Sequence, residues 1–373
     1  IPVKKQEKYN LSRWGLTGKD DLRINTECYR IYTTLKRTPR KNHEQFWKEL
    51  CFLWSSDFRT HITAKRFEKY DLKLNNLLKK LEIESEKSEK IINYSKSNRL
   101  ILTRERNLLR LTGSKIDLTL NTRRGLSIKS LIFRDVFSEP LLGTIEHGHY
   151  SEISLGADFY SASTVIQPVS EVQDTDLNQA IVTVNKQDEQ VTSVSAVVPL
   201  RHGEVKKTYY LDDLKGEITI SYDYKLKKLS KSSFRTNFIT LCPQSFDQKS
   251  LYYGVFNGGN FLEKYSLSEV ETVEHHPVSF TVSARYLLGN TNGQLEIGDG
   301  TKKIVIKNDM SQIAALPKIH FKRTKNPNSY LLRALYSLGE FDETNKDQQP
   351  RDVSLTYNCM ITAERVVASL QPR

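Results

Sequence analysis

Ile218-Thr219-Ile220-Ser221-Tyr222-Asp223-Tyr224 alternates apolar and polar side chains with a period of two, the pattern of a strand with one face in a core. The same alternation recurs on either side of it. Ile116, Leu118 and Leu120 alternate with Asp117 and Thr119; Val278, Phe280 and Val282 repeat the pattern, as do Ile304 and Ile306. Turn signals separate the runs: Gly258-Gly259, Asn292-Gly293 and Asp299-Gly300. Many strands without intervening helices predict an antiparallel sandwich rather than a parallel α/β sheet.

Before about residue 98 the period is 3.6. Ile24, Cys28, Ile31, Tyr32 and Leu35 define a first helix, closed by Thr38-Pro39. Phe46, Leu50, Leu53, Trp54 and Phe58 define a second, from about Asn42 to His61. Phe67, Tyr70, Leu74, Leu77, Leu78 and Leu81 define a third from near Thr63, fading into solvent-facing helix over Glu82 to Lys90. Asn93 to Asn98 reads as a linker. The fold class is therefore α+β, mainly β: about three helices, then one large antiparallel sandwich. The expected boundaries are 1–40, 41–97 for the helical segment and 98–373 for the sandwich.

The 373 residues include three Trp, 18 Tyr and 15 Phe, enough for a sizeable core. No stretch of about 18 apolar residues appears, so no spanning helix is expected. Ile1 is expected to be either a processing site or a boundary within a longer protein, the latter favoured because Trp14 to Asn25 reads as the interior of something longer. Cys28, Cys51, Cys242 and Cys359 form no CxxC pair. Cys28 and Cys51 fall on the apolar sides of their helices, and all four are read as reduced, which points to the cytoplasm.

The net charge of +12 is uneven. Residues 1–100 hold 23 basic and 13 acidic side chains, or +10, and the remaining 273 hold 33 and 31, or +2. A basic helical end can attract phosphates, but no nucleic-acid motif accompanies it. A solvated surface, or a face toward an acidic domain, is the simpler expectation.

The stretch Glu49 to His61 carries the most chemistry. On one continuous helix, Leu50, Leu53, Trp54, Asp57 and His61 share a face. Asp57 would then lie in the apolar stripe, where a carboxylate needs a cation, donors or a ligand hydroxyl. It can equally pair with Arg59, Lys65 or Arg66, or cap a following helix. In Glu146-His147-Gly148-His149-Tyr150, His147 and His149 share a face if the segment is a strand. Glu146 could join them on a metal, but no further His or Cys stands nearby to finish a tetrahedral set; a loop offering His and Tyr to sugar hydroxyls is the favoured reading, and a turn eased by Gly148 the bland one.

Trp54-Ser55-Ser56-Asp57-Phe58 resembles the Ser-Ser-Asp-Trp signature of glycoside hydrolase family 57, with Phe58 where the family often has Trp. Leu11 to Asp21 and Ile24-Asn25-Thr26 resemble the junction where that family's barrel meets its helices. Thr144 to Tyr150 and Leu155 to Tyr160 resemble its sandwich domain, with weaker support from Asn257-Gly258-Gly259 and Leu295 to Asp299. The resemblance implies a supersandwich of the galactose mutarotase-like kind and a polysaccharide ligand. It implies a sugar-binding set of Trp14, Trp54, Ser56, Asp57, Arg59, His61, His147, His149 and Tyr160. The family's catalytic Glu and Asp, about 5–5.5 Å apart for retention, belong to a barrel whose strand–helix repeats this sequence lacks. The resemblance thus implies the non-catalytic C-terminal portion of a retaining hydrolase or transglycosylase of α-glucan-like polysaccharide, partnered by an upstream barrel. No cofactor, membrane or nucleic acid is expected as a partner. The alternative is a carbohydrate-binding or scaffolding module without catalysis.

Overall fold

The computed structural model describes residues 15–16, 18–37, 44–58, 62–83, 100–145, 158–169, 171–187, 190–274, 283, 287–324, 329–342 and 349–366. The predicted 93–98 linker and the 278–282 strand lie outside the described residues.

Three long helices precede the sheets: α1 (Asp21–Arg37), α2 (Glu44–Leu53) and α3 (Ala64–Lys80). Their apolar stripes meet in one small core, in which Ile24, Cys28, Ile31 and Leu74 are fully buried and Leu50, Leu53 and Leu77 nearly so. Cys51 does not belong to it. It stands one position past Leu50, about 100° around the helix, and is exposed. The helix α3 closes where Glu82 takes a left-handed φ of 54°, and residues 84–90 of the expected extension lie outside the described residues. The Glu82 N–H donates to the Lys79 carbonyl and that of Ile83 to Leu78. This pair of back-bonds closes a helix at the position usually given to glycine.

The rest of the chain is two antiparallel sheets. Along the first run β1 (Ile101–Glu105), β2 (Leu108–Thr112), β3 (Ile116–Asn121), β4 (Ser127–Phe133) and β5 (Leu142–Gly143). It continues through β12 (Ser232–Leu241), β19 (Tyr330–Gly339), β18 (Leu316–Arg323) and β15 (Thr272–Val273). The strand β6 (Ser163–Pro168) also pairs with β12, and β7 (Asp174–Thr175) with β6. The second sheet begins with β14 (Glu263–Ser266), β13 (Tyr252–Val255), β16 (Gln294–Gly298) and β17 (Lys302–Asn308). It ends with β20 (Arg351–Arg365), β11 (Glu217–Leu229), β10 (Gly203–Asp212), β9 (Gln190–Leu200) and β8 (Ile181–Gln187). The fold is thus mainly β, a two-sheet antiparallel sandwich behind a helical unit. All four cysteines are free. No helix among the described residues is long and apolar enough to cross a membrane.

The alternation read from sequence is what packs the sheets. Ile218, Ile220, Tyr222 and Tyr224 of β11 all face the shared core. In β3 the polar partner Asp117 is also buried, because Arg110 and Arg134 both pair with its carboxylate. The inward row of β10 reads Val205, Lys207, Tyr209 and Leu211, so a lysine occupies a core position. Its ammonium lies 2.7 Å from the Asp176 carboxylate and donates to the Gly125 and Ala162 carbonyls. Burial lowers the Lys207 pKa against the attraction of Asp176.

The helical unit docks on the sandwich through both apolar and polar contacts: Leu22 packs against the sandwich core, and Leu16 lines the seam beside Phe234 and Leu338. Thr26 accepts from the Ala314 N–H, Arg30 donates to the Ser311 carbonyl, and the Glu340 N–H donates to Leu16. A cleft of about 100 Å³ beside Asp20, Asp21 and Arg351 marks this seam. Small-molecule sites commonly need about 300 Å³ or more, so the cleft is a joint rather than a pocket.

Lys207→Met is expected to cost about 3–5 kcal/mol, because Asp176 is left charged and buried. Adding Asp176→Asn, which keeps an acceptor for the Thr164 N–H, should recover part of that loss. Urea denaturation of the three proteins measures both steps.

Candidate functional site

The Trp54 to Phe58 segment does not continue α2. Ser55, Ser56 and Asp57 favour caps and turns because their side chains compete for backbone bonds. The helix ends at Leu53, and Ser56–Phe58 forms a single 3-10 turn. A new helix then starts behind Thr63, whose hydroxyl accepts from the Arg66 N–H at 3.3 Å. The break turns Asp57 out of the apolar stripe and exposes it. The expectation of a buried carboxylate is therefore corrected. Among the described residues nothing hydrogen-bonds or pairs with it, Lys65 and Arg66 included.

The turn is pinned at both ends. Trp54 Nε1–H donates to Asn25 Oδ1 at 3.1 Å, and the Asn25 amide donates to the Gly15 carbonyl at 2.7 Å. The Trp54 ring lies against Tyr32, with centroids 6.4 Å apart. Phe58 is buried between Phe52 and Tyr70, at 5.0 and 4.6 Å. It is a core side chain and offers no face to a sugar. The Tyr70 hydroxyl donates to the Leu53 carbonyl at the helix end.

The other expected site residues divide as follows. Trp54, Ser56 and Asp57 come together in this corner, Ser56 by its backbone. Tyr160 belongs to the sandwich, next to Phe159, which bridges to Ile145. Its hydroxyl donates to the Asp158 carboxylate at 3.1 Å, and burial, then Asp158, raises its pKa. Trp14, Arg59, His61, His147 and His149 lie outside the described residues. No group of three His, Cys, Asp or Glu is placed to hold a metal among the described residues.

Two features of the first sheet's outer face escaped the sequence reading. Leu332, Ala334, Tyr336 and Leu338 of β19 face the core, so Arg333 and Ser337 face outward. Lys318 and His320 of β18 do likewise, because Ile319 and Phe321 face inward. Just beyond β19, the buried Glu340 carboxylate accepts from Lys318 at 2.7 Å, Arg235 at 3.0 Å and Ser337 at 2.9 Å, and from Ser283. Burial would raise its pKa, but Arg235 and Lys318 hold it well below the usual range. Burial pushes Lys318 down to about 7 despite Glu340. With its lone pairs taken by four donors, Glu340 is a structural anchor and has no free position for acid–base work.

The second feature is Arg333. Its guanidinium carbon lies 4.8 Å from the centre of the Phe159 ring and 4.6 Å from that of Phe238. Its Nε–H donates to the Thr240 hydroxyl at 3.2 Å. The sequence signal was a lone arginine within Leu331 to Tyr336, an otherwise apolar strand.

No family model matches this chain, and no curated protein matches it. Among solved structures it is similar to a 4-α-glucanotransferase from Thermococcus litoralis, at 10% identity and a TM-score of 0.39 over 93% of this chain and 50% of that one. The chain thus spans about half the length of that protein. It is also similar to a galactose mutarotase-like protein from Clostridium acetobutylicum, at 9% identity and 0.39, over 73% of this chain and all of that one. An α-galactosidase from Geobacillus stearothermophilus gives 11% and 0.39, over 71% and 41%. At these scores the likenesses establish neither a family nor an activity for this chain.

The Glu340 cluster carries a pH signature. The unfolded carboxyl takes up its proton near 4.5, while the folded one resists until lower pH, so acid favours unfolding in that window. Stability should be fully present above about 4.5 and fall below it. Glu340→Gln should be less stable at neutral pH but lose less on acidification. Urea midpoints from about pH 3 to 7 compare the two slopes.

Proposed function

We propose that this chain is the non-catalytic C-terminal part of a retaining glycoside hydrolase or transglycosylase acting on an α-glucan-like polysaccharide. In this reading its helical corner walls a sugar site whose catalytic carboxylates belong to another domain. The observation that carries it is the Ser56–Phe58 turn, held by Trp54 and Phe58, with an exposed Asp57 carboxylate that has no partner among the described residues. An exposed Asp is ordinary; one on a turn fixed at both ends by aromatic packing is pre-organised for something outside the chain. Sugar hydroxyls are donors that suit a carboxylate, and a fixed turn loses little conformational entropy on binding. The Ser-Ser-Asp resemblance supplies the ligand class. The second reading, a binding or scaffolding module without catalysis, keeps the sugar and drops the partner domain.

The purified chain is expected to show no turnover of starch, glycogen or aryl glycosides. Turnover abolished by one Asp or Glu substitution within it would sink the proposal. On glycogen-containing native gels the chain should be retarded, and Asp57→Ala should lose the retardation. Because the side chain is exposed and unpaired, that substitution should change stability by no more than about 0.5 kcal/mol. Retardation unchanged by Asp57→Ala removes Asp57 from the site.

A further inference from the structure

Arg333 is a cation that the fold half-buries without neutralising. Arg23, Arg110, Arg134 and Arg235 each pair with a carboxylate. Among the described residues none pairs with Arg333. Burial alone lowers its pKa, to about 9, and it remains charged at neutral pH. Two ring faces return part of the lost hydration through cation–π attraction, and Thr240 takes one of five N–H donors.

The geometry decides what such a group can take. Phe159 and Phe238 flank the guanidinium carbon at 4.8 and 4.6 Å, while the residue keeps intermediate exposure. The donors left over are the N–H groups along the rim of the guanidinium plane. That fork matches a ligand offering two coplanar oxygens, which is the geometry of a carboxylate or of two phosphate oxygens. The buried carboxylate at the other end of the outer face, Glu340, is occupied by Lys318 and Arg235. Among the described residues no carboxylate pairs with Arg333, so the charge it presents suits an anion.

We propose that Arg333 anchors an anion-binding subsite on the outer face of the first sheet, taking the carboxylate or phosphate group of a sugar ligand. The anion follows from the clamp; the sugar rests on the carbohydrate reading above.

Calorimetric titration of the full chain with glucuronic acid, glucose 1-phosphate, inorganic phosphate and maltose tests both halves. At low salt, at least one of the two charged sugars should bind about tenfold or more tighter than maltose, and which one does so identifies carboxylate or phosphate. Arg333→Gln should abolish that preference, and Arg333→Lys should not restore it, because an ammonium lacks the planar fork. If the Arg333 variants fail to fold, Phe159→Leu keeps the charge, removes one wall and should weaken the charged sugar specifically. Maltose binding as tightly as both charged sugars overturns the anion subsite and leaves the carbohydrate reading standing. Inorganic phosphate binding as tightly as glucose 1-phosphate, with glucuronic acid no better than maltose, overturns the sugar half and counts against the carbohydrate reading. Affinity for the charged sugars unchanged by Arg333→Gln and by Phe159→Leu overturns the assignment to Arg333.

Discussion

Tyr357 fastens the two sheets together. It sits opposite Tyr222 in the β11–β20 register, with ring centroids 5.9 Å apart, and reaches across to Tyr336 of β19 at 5.6 Å. All three rings are fully buried. This contact fixes the side-chain parity of strands in both layers at once. A one-residue slip in a strand exchanges its faces completely. In β19 such a slip would drive Arg333 into the core and lift Tyr336 out of it. The outward placement of Arg333, Lys318 and His320 therefore depends on aromatic packing on the opposite side of the same strands.

Most of the architecture was legible because it is periodic. The three helical stripes and the alternation in β3, β11 and β17 follow directly from which residues must avoid water. Asp57 was misread because stacking at steps of three and four presupposes that the helix continues. Three consecutive residues that favour caps and turns, Ser55 to Asp57, end it instead, and turn the carboxylate outward. Lys207 was readable in principle, since Val205, Tyr209 and Leu211 fix the inward row on which it falls. Arg333 was not. In Leu331 to Tyr336 both rows are apolar apart from Arg333, because Leu331 and Leu335 on the outer row are buried like the inner residues, while Arg333 between them keeps intermediate exposure. Where both faces are buried, hydrophobic period no longer tells them apart.

The interior is also more polar than the sequence suggests. Lys207 and Asp176 lie between the sheets with Tyr209, Tyr222 and Tyr224, whose hydroxyls reach Leu126, Asn237 and Thr164. Each such group demands a partner at a defined angle and distance. Such interiors tolerate alternative packings poorly, so uniqueness of the fold is enforced by bonds as well as by shape.

The seam between the helical unit and the sandwich joins residues far apart in the chain: Thr26 meets Ala314 across 288 positions, and Arg30 meets Ser311 across 281. At ribosomal rates of roughly 5–20 residues per second, the helices emerge about 15–60 s before the loop that receives them. During that interval their own small core can close, because Ile24, Cys28 and Ile31 turn toward α2 and α3. The face left waiting carries Thr26 and Arg30 together with Leu22, which packs against the sandwich core once that has formed. The helical unit therefore waits with both polar partners and an apolar contact unmet, and the seam can close only after the loop at 311–314 has been made.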